Sequence, residues 1–172
     1  MKKNLLIVFI AVAAICFGYQ AKAQTGTSAP VTVNINLTDA ISITLGAAPT
    51  VNFDYTTAAD YAASKTVTKA NHFTVVSNKP YDLTVAATGA FTPAGGPALN
   101  IVTVTVPAAT ANGGTPVANV PLSTTAAPLV NGSTASTGAI YTVDYTISNP
   151  ASLLNLAGST YSTTVTYTAT QQ

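Results

Sequence analysis

The chain has 172 residues, of which only 6% are charged; it carries six Lys, five Asp and one His, and no Arg, Glu or Trp. So few cations cannot line a phosphate-binding face, which excludes nucleic acid as a partner and removes electrostatic attraction to an anionic membrane surface. One Cys and one His likewise exclude a transition-metal centre built from thiolate and imidazole ligands.

The amino terminus predicts export. Lys2 and Lys3 form a positive n-region, Leu5 to Phe17 is an apolar run, and Ala21-Lys22-Ala23 places small residues where a signal peptidase reads. The run is about a dozen residues, short of the roughly 20 that span a bilayer as a helix. Residues 1–23 are therefore expected to be a cleaved signal peptide and residues 24–172 a single mature domain. The alternatives are an uncleaved anchor, or lipidation at Cys16, where Ile15 stands in place of the small residue expected before a lipidated Cys. Cleavage removes the only Cys, the only Met and three of the six Lys. Lys65, Lys69 and Lys79 then face Asp39, Asp54, Asp60, Asp82 and Asp144, so the formal charge falls from +1 to −2. The mature domain has no disulfide and must be held by packing. Thr fills 30 of its 149 positions, and this β-branched residue suits a pleated, solvated face.

From there on, the apolar period is two. Val31, Val33, Ile35 and Leu37 alternate with Thr32, Asn34, Asn36 and Thr38, and this segment is expected to pair within its own sheet. Ile41, Ile43 and Leu45 predict a second strand, and Val51, Phe53 and Tyr55 a third. Thr57 to Ala63 can make one helical turn. Tyr81, Leu83 and Val85 follow, then Val102, Val104 and Val106. Ala108 to Thr137 is the least patterned stretch, with Val117, Val120, Leu122, Leu129 and Val130 as its only large apolar anchors, and predicts one or two short edge strands with mobile tips. Tyr141, Val143, Tyr145 and Ile147 give the cleanest alternation, Pro150 to Leu156 a second helical turn, and Tyr161, Val165 and Tyr167 the last strand.

Turn signals separate these runs, among them Asn78-Lys79-Pro80, Asn112-Gly113-Gly114 and Asn131-Gly132. The expected fold class is all-β, an antiparallel Ig-like β-sandwich of about seven to nine short strands. A transmembrane β-barrel needs strands of about 9–11 residues and aromatic girdles; most runs here are shorter, with Thr and Asn outward, and no membrane span is expected in the mature chain.

No catalytic residues are assigned. His72, between Asn71 and Phe73, is expected to be a surface or strand-edge residue, and no nucleophile elbow accompanies it. The five Asp are scattered, which argues against a glycosidase pair. Asp54 and Asp60 bracket a loop but lack calcium-loop spacing, so no metal or other cofactor is assigned. Lys79 sits in a turn, where a solvated charge is expected in preference to a self-formed Lys–Asn amide. Tyr141, Tyr145, Tyr161 and Tyr167 share parity with Val143, Ile147 and Val165, which predicts core rings with hydroxyls at the rim. Tyr55 and Tyr61 flank a loop and are the candidate ligand contacts.

Phe73-Thr74-Val75-Val76-Ser77-Asn78-Lys79-Pro80-Tyr81-Asp82-Leu83-Thr84-Val85 and the closing Tyr161-Ser162-Thr163-Thr164-Val165-Thr166-Tyr167-Thr168 resemble secreted bacterial surface proteins with an Ig-like β-sandwich. These include fimbrial, spore-coat-U-like and WxL-type proteins. The resemblance is one of pattern over most of the mature chain. The absence of Trp removes the wall-binding signature of WxL domains, and the missing Cys pair sets the chain apart from usher-type pilins. It implies a non-enzymatic structural or adhesive protein in the periplasm, on the cell surface or outside the cell. The partners to weigh are glycans and, should Val31–Leu37 leave its own sheet and complete a neighbour's by strand addition, the chain itself or other surface proteins. The alternative is a secreted glycan-binding module.

Overall fold

The computed structural model describes residues 26–156 and 158–172; the expected signal peptide, Cys16 included, lies outside the described residues. The chain divides between Asn36 and Leu37 into two units. Of the first, residues 26–36 are described, and they are exposed and form no strand.

The described residues of the second unit hold nine strands: β1 (Ile41–Leu45), β2 (Lys65–Ser77), β3 (Tyr81–Ala87), β4 (Val102–Thr105), β5 (Thr115–Pro116), β6 (Val120–Pro121), β7 (Ala127–Ser133), β8 (Ser136–Ile147) and β9 (Val165–Gln171). They form two antiparallel sheets, ordered β1-β2-β8-β4-β6 and β5-β7-β3-β9. The fold is thus an all-β sandwich and not a barrel. Alternation carries the packing directly. In β3, Tyr81, Leu83, Val85 and Ala87 are buried, and in β8 so are Tyr141, Val143, Tyr145 and Ile147. These inward rows meet those of β2, β4 and β7 in one core. Short 3₁₀ turns at Ala58–Tyr61 and Pro150–Leu156 stand where single helical turns are expected.

Three expectations about strands are corrected. Among the described residues Val31–Leu37 forms no strand, and Val31, Val33, Ile35 and Leu37 are 80–87% exposed. Val51, Phe53 and Tyr55 keep their alternation, half-buried against the core, but their backbone forms no ladder. Chain direction explains this: after β1, the chain closes on the β2 bulge through a bond from the Gly46 N–H to the His72 carbonyl (2.8 Å) and leaves the sheet. The poorly patterned stretch holds not only the short edge strands β5 and β6 but also β7, seven residues paired with β3.

A bulge shapes the middle of β2. Between the pairs Lys69–Val143 and Phe73–Tyr141, β2 spends two more residues than β8. Asn71 takes a positive φ of 52° there, which Asn tolerates. An even number of extra residues preserves parity, so Phe73, Val75 and Ser77 still face inward. The bulge also turns His72 into the core beside them.

Candidate functional site

β1 covers β2 only from Phe73 to Ser77, and beyond the bulge the sandwich stays open between residues 49–56 and 158–165. The opening is a cleft of about 860 Å3 whose walls include Leu45, Phe53, Tyr55, Tyr61, Phe91, Tyr145, Ile147, Leu153, Tyr161, Val165 and Tyr167.

One wall is set by Asp60. Its carboxylate accepts from the Thr56 N–H (3.0 Å), the Thr57 N–H (2.8 Å) and the Thr57 hydroxyl (2.9 Å), which caps the 3₁₀ turn. Its other oxygen receives the Lys65 ammonium at 2.9 Å, and Lys65 also donates to the Asp54 carbonyl. The Lys65 bond, followed by those from Thr57 and Thr56, holds the Asp60 carboxyl well below the usual carboxylate range. The clasp ties the two ends of the loop together and brings the rings of Tyr55 and Tyr61 to 5.0 Å, tilted by 42°. Lys65 Nζ lies 4.9 Å from the Tyr55 ring centre, a cation–π contact. Asp60 is thereby committed to the loop and is not a free ligand bracketing it with Asp54. Among the described residues, no three His, Cys, Asp or Glu side chains gather in a metal-binding group.

The floor is an aromatic cluster centred on His72. This residue is 4% exposed, so the expectation of a surface or strand-edge His is corrected. Nε2 lies 2.8 Å from the Tyr145 hydroxyl, and that hydroxyl bonds in turn to Tyr167. The imidazole meets both phenol rings edge-on. Nδ1 and the Tyr55 hydroxyl are buried with no hydrogen-bond partner among the described residues. Reversing the direction of the His72–Tyr145–Tyr167 chain moves the imidazole proton from one nitrogen to the other, and either tautomer leaves Nδ1 unpaired. Burial, then the Lys69 charge, lowers the His72 pKa. Burial pushes Tyr145 up to about 12 and raises Tyr167 further, so both phenols are neutral at physiological pH.

Tyr141 and Tyr145 are core residues as parity predicts, and Tyr167 joins them; Tyr161 is only half-buried and lines the cleft. Their hydroxyls do not reach a rim. Tyr81 and Tyr141 pair at 2.7 Å, Tyr141 donates to Ser133 Oγ at 3.0 Å, and Ser133 donates to the Ala111 carbonyl. Core phenols paired with one another leave no sign in a single strand's alternation, because the partners come from different strands.

No known family model matches the chain, and no curated protein matches it in sequence. The cleft's chemistry must be judged from its own residues: an apolar, aromatic trough with two orphan polar atoms and a Lys–Asp clasp at its edge. It suits burial of apolar side chains or rings. The hydrogen-bond partner of the buried His72 among the described residues is the Tyr145 phenol.

Proposed function

We propose that this protein is a non-enzymatic structural subunit of the exported or cell-surface compartment, assembled through strand addition by Val31–Leu37. The observation that supports this reading is the exposure of that segment. Four large apolar side chains on one face, alternating with Thr and Asn on the other, stand in water, where each sacrifices about 1.5–3 kcal/mol of burial. A strand pattern without a strand partner is what β-augmentation uses. The test is electrophoresis of the purified exported protein without heating. A ladder of multimers is expected, and its collapse to monomer in a Val33→Asp/Ile35→Asp variant. A sharp monomer from the unaltered chain at all concentrations would sink the reading.

Glycan binding is the second reading, favoured by the placement of Tyr55 and Tyr61 on one cleft wall. It ranks second because the Tyr55 ring is already flanked by the Lys65 ammonium and the Tyr61 ring. Retention on a glycan panel that disappears with Tyr61→Ala would raise it to first.

A further inference from the structure

We infer that the cleft is a binding site for a small uncharged ring alcohol, whose rings fill the aromatic trough and whose hydroxyl supplies the partner that His72 Nδ1 lacks. This goes beyond both readings above and depends on neither.

At about 860 Å3 the cleft falls within the roughly 300–1,000 Å3 of small-molecule sites, which are apolar with a few placed polar groups. Its lining has that character. Phe53, Phe91, Leu153 and Tyr161 supply apolar wall, and the buried His72 lies in the floor. Buried polar atoms are nearly always hydrogen-bonded, and leaving one unpaired is costly. Two break that rule among the described residues, His72 Nδ1 and the Tyr55 hydroxyl, and both residues line this same cleft. The other core hydroxyls, of Tyr81, Tyr141, Ser133, Tyr145 and Tyr167, are all paired with one another. Unpaired polar atoms thus gather where the sandwich is open.

A ligand reaches the floor past a wall that no sheet holds. Among the described residues, residues 47–55 lie outside every strand and make no backbone–backbone hydrogen bond. Val51, Phe53 and Tyr55 rest on the core by side-chain packing. The two ends of this flap are pinned. The Gly46 N–H bonds to the carbonyl of His72 itself at 2.8 Å, and the Thr56 N–H bonds to the Asp60 carboxylate at 3.0 Å. Segments with so few backbone bonds open at low cost. With the flap down Nδ1 is out of the reach of solvent, so the flap lifts to admit the ligand.

The chemistry of the floor selects the ligand. Burial lowers the His72 pKa and raises those of Tyr145 and Tyr167, so all three groups are neutral. Among the described residues no Lys lines the cleft, and Lys65 at its edge is bonded to Asp60, so a carboxylate would be buried without a cation. An ammonium would likewise meet no carboxylate on the floor, since Asp54 is exposed. A hydroxyl both donates and accepts, and therefore pairs with Nδ1 in either tautomer of the His72–Tyr145–Tyr167 chain. Aromatic walls favour a ring over an alkyl chain. An oligosaccharide would lose the hydration of many hydroxyls against apolar walls.

Calorimetric titration of the purified exported protein with naphthol tests this. Naphthalene, which lacks the hydroxyl, and naphthoate, which carries a charge, are the comparison probes. Saturable one-to-one binding of naphthol is expected, about tenfold tighter than naphthalene, with no binding of naphthoate. In His72→Phe the two neutral compounds should bind alike. The unaltered protein supplies a check that needs no substitution. NMR of the ring nitrogens should show the His72 Nδ1 signal moving with naphthol far more than with naphthalene, and amide exchange over residues 47–55 should slow. Absence of saturable naphthol binding overturns the site. Equal affinities for naphthol and naphthalene in the unaltered protein, or an Nδ1 signal that naphthol leaves in place, overturn the role of His72. Displacement of naphthol by an oligosaccharide would give the cleft to glycans and overturn the ligand class.

Discussion

The imidazole of His72 and the phenol of Tyr145 meet at 2.8 Å in the core, 73 positions apart in sequence, and the bulge in β2 makes the meeting possible. This places the protein's one imidazole where protonation works against folding. The His72 pKa is lowered in the folded state, chiefly by burial and secondarily by the Lys69 charge. Unfolded, the same group titrates near 6.5. Its contribution is therefore complete above that pH and falls as pH drops from about 6.5 toward the folded value, because the unfolded chain takes up the proton first. Urea midpoints at pH 7 and pH 5 should differ for the unaltered protein. In His72→Phe the His-linked part of that difference should vanish, with stability at pH 7 within about 1.5 kcal/mol of the original, since Tyr145 keeps its bond to Tyr167.

Gly46→Ala is expected to loosen β1. A Cβ at Gly46 would stand 2.3 Å from the Asn71 carbonyl oxygen, a backbone atom held by the bulge. The loss should be about 1–3 kcal/mol, as for other overpacked sites. Gly138→Ala is the control, because nothing lies within 4 Å of a Cβ there. Equal thermal midpoints for the two variants would refute the close-approach argument.

Tyr141→Phe removes the central hydroxyl of the Tyr81–Tyr141–Ser133 chain while keeping the ring stacked on Phe73 at 5.0 Å. Two buried groups lose a partner, and the cost should be about 1–3 kcal/mol in urea unfolding. A change below half a kcal/mol would mean that the network contributes little beyond the rings themselves.

Asp60→Asn should leave the sandwich folded but release the Tyr55–Tyr61 loop. Limited proteolysis is the readout, with new cleavage expected between Thr56 and Ala63 at neutral pH. In the unaltered protein the clasp is complete above the ordinary Asp value and is lost only as pH falls through the lower folded value. Protection that is identical in the two proteins would show that packing alone holds the loop.

Much of the sandwich was legible because β3, β4 and, from Ala139 onward, β8 bury every second residue. β7 was not. Its register against β3 shifts twice, so Leu129 and Val130 are consecutive and both buried, and alternation fails as a signal there. Val51, Phe53 and Tyr55 mislead in the opposite sense, since half-burial against a core produces the same pattern as a strand. Of the candidate contacts, Tyr55 and Tyr61 were visible as aromatics flanking a loop. The Lys65–Asp60 clasp that brings them together was not, because charges five positions apart carry no signature in a loop.

The sequence by itself determined an all-β fold class, the inward parity of its clearest strands and the absence of Cys from residues 24–172, because period two and composition are local properties. Only the tertiary structure decided which strands share a sheet, that His72 is buried, and that Val31–Leu37 keeps a strand's pattern without a strand's pairing. Each of these depends on which backbone edges are already occupied, and edge occupancy is settled by long-range pairing that no local pattern encodes.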